Sequence, residues 1–145
     1  MVRRRLALLA HGSRSPAWAE GFGPLVAAVQ AAQGSDAVAL CFLEGFSPDL
    51  VAIADQAGRD GIAELRILPL FWSSGGHVMR DVPALVARAA EAASNAAQAA
   101  GHPAPLLTLL PTVGEQPGVH SAVAALIAAG LGPRSAAGDA EPSCP

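Results

Sequence analysis

The chain has 145 residues, 52% of them apolar, which suits one compact domain and is too short for two cores of ordinary size. Its formal charge is −3, it contains no lysine, and its nine basic residues are arginines scattered along the chain except for Arg3, Arg4 and Arg5. A nucleic-acid partner needs a clustered basic face and is not expected; a membrane span is not expected either, because no apolar run is long enough to cross a bilayer.

Taken in order, apolar runs alternate with helical patterns. Leu6 to Ala10 is a short run ending in His11-Gly12, followed by Ala17 to Gln33, where Phe22, Leu25, Val26 and Val29 fall at helical spacing and Gly21 and Gly23 weaken the first turns. Ala37 to Leu43 is a continuous apolar run, and Pro48 to Arg59 is a helical pattern stopping at Asp60-Gly61. Leu65 to Phe71 is the third run. An alanine-rich helix is predicted from Val82 to about Ala100, with Asp81 as N-cap, Pro83 in the first turn, and Gly101 with Pro103 as the stop. The last unit is Leu106 to Leu110 followed by Val119 to Leu131.

Four strand-helix units with strands apolar throughout predict an α/β fold: a small doubly wound parallel four-stranded sheet with helices on both faces. Right-handed crossovers give the flavodoxin-like order 2-1-3-4, with the switch point between the first and third strands. The single domain is expected to span residues 1–131. The tail, 132–145, turns to Pro, Ser, Ala, Gly and acid, a composition expected to stay disordered.

Localisation is expected to be cytoplasmic. The run behind the arginine triplet is cut short by His11 and has no cleavage pattern after it. Cys41 sits in an apolar run and Cys144 is the second-last residue, so a disulfide framework is not expected.

Open α/β sheets bind ligands beyond the carboxyl ends of their strands, near the switch point. His11 and Gly12 follow the first strand, Glu44 and Gly45 the second, Gly75, Gly76 and His77 the third, and Thr112, Val113 and Gly114 the fourth. With that strand order, His11 and His77 come from adjacent strands. Two imidazoles can coordinate a borderline divalent metal such as cobalt, nickel, iron or zinc. A two-ligand site is open, unlike the closed four-ligand sites of structural zinc, and neither CxxC nor HExxH occurs here.

Each of these residues also has an ordinary use. A histidine at a strand end serves as a hydrogen-bonded loop residue, Glu44 as a cap or solvated carboxylate, Ser13 and Arg14 as the start of a turn, and Gly75 and Gly76 as positions permitting positive φ. Asp81 reads as a helix cap, and His102 and His120 as surface residues.

Several segments, taken together and in order, resemble one family. Leu8-Leu9-Ala10-His11-Gly12-Ser13-Arg14 with Pro16 and Trp18, Phe42-Leu43-Glu44 with Pro48-Asp49-Leu50, Leu68-Pro69-Leu70-Phe71, Gly76-His77-Val78 and Asp81-Val82-Pro83 are similar to segments of the CbiX-type sirohydrochlorin chelatases, the short form of the class II chelatases. The likeness runs from about residue 6 to residue 131. Phe46 and Ser47 depart from the small or acidic residues common before the proline, and Ala92 to Gly101 carries little motif content.

The resemblance implies an ATP-independent enzyme that inserts cobalt, with iron or nickel as alternatives, into sirohydrochlorin in cobalamin or sirohaem biosynthesis, with no organic cofactor. It implies that His11 and His77 hold the metal and that the protein is a homodimer. On this reading Glu44 or a histidine not engaged by the metal is the candidate proton acceptor, and Glu44 is catalytic together with the two histidines. Arg14 and Arg80 are candidates for the macrocycle's carboxylates. Ser13, Trp72 and Gly76 complete the candidate substrate-binding set, with Phe71 beside Trp72 as a further apolar surface.

Other classes fit less well. A histidine phosphatase has arginine before its strand-end histidine, where this chain has Ala10; a serine hydrolase using Ser13 lacks a GxSxG elbow. A non-catalytic metal or tetrapyrrole carrier would use the same two histidines.

Overall fold

The computed structural model describes residues 2–131, apart from the side chains of His77, Val78 and Leu131. The tail beyond lies outside the described residues.

Strands β1 (Arg4–Ala10), β2 (Val38–Phe42), β3 (Glu64–Pro69) and β4 (Leu106–Leu109) form one parallel sheet in the order β2-β1-β3-β4. This is the order predicted from the sequence. Helices α1 (Pro16–Glu20) and α2 (Gly23–Gln33) follow β1, α3 (Leu50–Arg59) follows β2, α4 (His77–Ala100) follows β3 and α5 (Val119–Leu131) follows β4. The long pattern over Ala17 to Gln33 is thus two helices, broken where Gly21 and Gly23 remove helix propensity.

Strand pleating sorts the side chains. Ala7, Leu9, Cys41, Leu65 and Ile67 point to one face and pack against Leu50, Ala54 and Ala57 of α3 and Val82, Leu85, Ala89 and Ala93 of α4. Each buried leucine or isoleucine there contributes about 2 kcal/mol. Asp49 caps α3, its carboxylate accepting from the Ala52 amide at 2.8 Å, and α4 closes in a Schellman motif at Gly101 (φ 75°), with the His102 amide reaching the Ala97 carbonyl at 2.8 Å. The alanine-rich half of α4 has a packing reason. A Cβ at Gly58 would overlap the Ala93 carbonyl, so α3 and α4 approach at backbone distance only because small residues meet there.

Helix α4 begins at His77, five residues before the predicted start, so Asp81 lies inside the helix rather than capping it and Pro83 is in its second turn. Half-buried Met79 extends the apolar stripe of Val82, Val86, Ala89 and Ala93 one turn earlier, and that packing outweighs the missing proline N–H. Proline and aspartate are common near helix starts, which is why they misplaced this boundary.

The opposite sheet face, with Leu6, Leu8, Leu40, Phe42 and Leu68, is covered less completely. Helix α2 lies against β2 but has no buried residue, Leu106 of β4 is 64% exposed, and Leu126 and Ile127 of α5 are 73% and 57% exposed. Among the described residues no helix is long and apolar enough to cross a membrane. Cys41 is a buried free cysteine; burial, and then Asp49, pushes its thiol up to about 12, so it is an inert core residue.

At the amino edge of the sheet, Arg5 donates to Asp60 at 2.7 Å and Gln56 donates to the other oxygen at 2.8 Å. The Arg5 hydrogen bond, more than any other cause, holds the Asp60 carboxyl below its ordinary value. A carboxyl lowered by folding stabilises the fold above the unfolded value, near 3.9, and loses that contribution as pH falls through the folded one. Asp60→Asn is therefore expected to cost about 1 kcal/mol at neutral pH. In thermal melts its deficit relative to the parent should shrink below about pH 4; a deficit constant from pH 7 to 2 would contradict the assignment.

Candidate metal site at the switch point

The carboxyl ends of the strands bring the β1 and β2 loops into an interlock. The Leu43 amide donates to the Ala10 carbonyl at 3.0 Å and the Glu44 amide to the His11 carbonyl at 3.1 Å. Gly12 has φ 101° and a Cβ there would overlap the Glu44 carbonyl oxygen; Gly45 has φ 78° and its Cβ would stand 2.6 Å from the Ser13 carbonyl oxygen. Each loop thus needs a glycine where it crosses the other. The consequence is a fixed separation between the backbones that carry His11 and Glu44.

His11 is partly exposed. Its Nδ1 lies 3.1 Å from the Gly12 carbonyl oxygen and 3.8 Å from Glu44 Oε1. A carbonyl only accepts, so Nδ1 carries the proton in this contact and the lone pair falls on Nε2. The ring is therefore oriented by its backbone partner, and Nε2 carries the lone pair that ligation needs. Glu44 is exposed.

Both residues line a cleft of about 510 Å³ with Leu43 and with Asp81, Ala84, Leu85 and Arg88 of α4. One imidazole, two carboxylates and a guanidinium ring an apolar floor, a set able to bind a cation, accept protons and pair with an anionic group. Asp81 and Arg88 were not among the predicted site residues. Their spacing with Ala84 and Leu85 is that of one helix face; Arg88 already lay in the predicted helix, and Asp81 joins that face only once α4 is started at His77. His77 is the first residue of α4, one turn before Asp81, and follows Gly76, whose φ is 105°. Strand β1 pairs with both β2 and β3, so the His11 loop lies between the Glu44 loop and the loop leading to His77. Among the described residues no group of three or more histidine, cysteine or acidic side chains could close around a metal.

The remaining predicted residues are placed as follows. Ser13 Oγ accepts from the Ser15 amide at 3.1 Å, a turn contact. Arg14 and Arg80 are exposed and are not among the residues lining the cleft. Trp72 is 58% exposed, with its ring 5.2 Å from that of His120, and it too does not line the cleft.

Comparison with known proteins bears on this arrangement. The model of the CbiX family matches residues 5–130. A sirohydrochlorin cobaltochelatase from Methanococcus aeolicus is 28% identical over 81 residues, which make up 56% of this chain and 57% of that protein; the chain thus aligns with little more than half the length of this curated relative. The crystal structure of a cobalamin (vitamin B12) biosynthesis CbiX protein from Marinobacter aquaeolei VT8 superposes with a TM-score of 0.70 at 25% identity, covering 88% of this chain and 97% of that one. With its sheet order, its switch-point cleft and a family match over nearly its whole described length, the chain belongs to the CbiX family.

Proposed function

We propose that this chain inserts a divalent metal ion, cobalt(II) first with iron(II) or nickel(II) as alternatives, into sirohydrochlorin without ATP, in the cytoplasm, on a route to cobalamin or sirohaem. The observation that carries the reading is the imidazole of His11, its Nδ1 held by the Gly12 carbonyl, in a cleft at the switch point of a CbiX-family sheet. The named activity of the Methanococcus relative supports sirohydrochlorin and cobalt as substrates.

Insertion exchanges two pyrrole protons for the metal, M2+ entering and two H+ leaving, so no nucleotide is needed for balance. His11 through Nε2, together with His77, holds the ion and replaces part of its water shell; both rings must be neutral to do so. Glu44, beside the His11 ring, accepts a departing proton directly or through water. The guanidinium groups of Arg14 and Arg80 pair with the macrocycle's carboxylates at the rim, and Arg88 does so inside the cleft. Gly76 lets the chain pass the ring without a side chain. Trp72 contributes an apolar face only if it leaves His120.

The experiment mixes purified protein, sirohydrochlorin and each metal in turn and follows the macrocycle's absorption. Accelerated insertion through many turnovers is expected, fastest with cobalt. One equivalent of product retained without turnover would instead assign a carrier, and a rate equal to the spontaneous one would overturn both.

The proposal includes a homodimer. The apolar exposure of Leu106 on the edge strand and of Leu126 and Ile127 on α5 supports it. Light scattering is expected to give twice the chain mass; a monomer at micromolar concentration would contradict it.

A further inference from the structure

The loop that leads from β3 to His77 is tied down by the loop that follows the neighbouring edge strand, β4. Glu115, in the loop after β4, places Oε1 2.7 Å from the Ser74 hydroxyl and 3.3 Å from the Ser74 amide, both donating. Its Oε2 accepts from the Thr112 hydroxyl at 2.9 Å and the Thr112 amide at 3.2 Å. Thr112 is fully buried, so one end of the strap is anchored in the core. Beside it, the Gly114 amide donates to the Phe71 carbonyl at 3.0 Å, and a Cβ at Gly114 would overlap the Trp72 carbonyl. The ring of His120, in the first turn of α5, adds a third contact to this loop through Trp72.

The Thr112 half of this arrangement is an ordinary capping box. The Ser74 half is not. It spans 41 residues of sequence and ends three residues before His77. Four donors from two loops converge on one carboxylate, which only an ionised acid can satisfy; an amide has a single acceptor oxygen. Those hydrogen bonds, Ser74's first, hold the Glu115 carboxyl below its ordinary value, so the strap is closed at neutral pH.

We propose that Glu115 is a positioning residue for metal insertion: by bridging Ser74 to Thr112 it fixes the loop that delivers His77 to the start of α4, and so sets the separation of His77 from His11. This rests on the reading of His77 as a metal ligand. Glu115 touches neither metal nor macrocycle. It acts through the loop, and loosening it enlarges the range of positions open to one ligand of a two-ligand site.

The test uses the full chain with Glu115→Gln, Ser74→Ala and the double variant, in two measurements. Hydrogen exchange of the amides at 74–80 is expected to quicken about tenfold in each single variant, with the β1 and β3 amides unchanged. Cobalt(II) alone, titrated against its visible absorption, is expected to bind about tenfold more weakly in each, and the double variant no more weakly than either single, since both remove one coupled interaction. Parental cobalt affinity in both single variants, or unchanged exchange at 74–80, would overturn the proposal. Failure of the parent chain to bind cobalt would instead sink the metal-ligand reading, leaving the exchange measurement to decide the strap.

Discussion

His11→Ala is expected to return cobalt insertion to the spontaneous rate. Residues that only support a metal ligand cost about 10–100-fold when removed, so deleting one of two protein ligands is expected to cost at least about a hundredfold in kcat/KM. The fold should barely notice. The ring is partly exposed and makes one backbone hydrogen bond, to Gly12, worth about 1 kcal/mol or a melting shift of at most about 4 °C. A large kinetic loss without a matching loss of stability separates a ligand from a structural residue. His77→Ala is expected to show the same kinetic loss, and parental insertion rates in both variants would remove the site assignment.

Gly12→Ala is expected to have the largest effect on stability. The new Cβ meets two penalties: a backbone at φ 101°, which side-chain-bearing residues rarely adopt, and overlap with the Glu44 carbonyl oxygen, which belongs to backbone and cannot swing away. Strain of this kind costs roughly 1–3 kcal/mol, and overlap with a packed neighbour about as much again. A combined loss of roughly 3–4 kcal/mol, or a melting shift of about 10 °C, is expected. Because the same overlap pushes apart the loops that carry His11 and Glu44, insertion should fall even at temperatures where the variant is folded. A melting temperature within about 2 °C of the parent would show that the interlock is not rigid.

The sheet was legible from sequence because parallel strands buried between helices read as uninterrupted apolar runs, and Leu6 to Ala10, Ala37 to Leu43 and Leu65 to Phe71 each mark a strand to within two residues. The strand order was read as the simplest doubly wound arrangement that right-handed crossovers allow, and the sheet has that order. The start of α4 was hidden because Asp81 and Pro83 mimic a helix entrance, whereas the real start is fixed by Met79 packing against a core assembled from distant strands. That misplacement concealed Asp81 as a cleft residue; Arg88 already lay inside the predicted helix, and only the packing of α4 beside the β1 and β2 loops brings it to the cleft. The interlock of Gly12 with Glu44 and the strap from Glu115 to Ser74 join segments 32 and 41 residues apart; no local pattern announces such contacts. Of the site, the His11 and Glu44 loops were legible because open α/β sheets bind ligands beyond the carboxyl ends of their strands, which is where both residues fall.

The central claim is that both histidines hold the metal. X-ray absorption at the cobalt edge, on the protein loaded with one equivalent of cobalt(II) before any macrocycle is added, counts the imidazole rings directly. Two imidazoles are expected in the parent chain and one in each of His11→Ala and His77→Ala. A spectrum of oxygen ligands alone, or one unchanged by both substitutions, would contradict the claim.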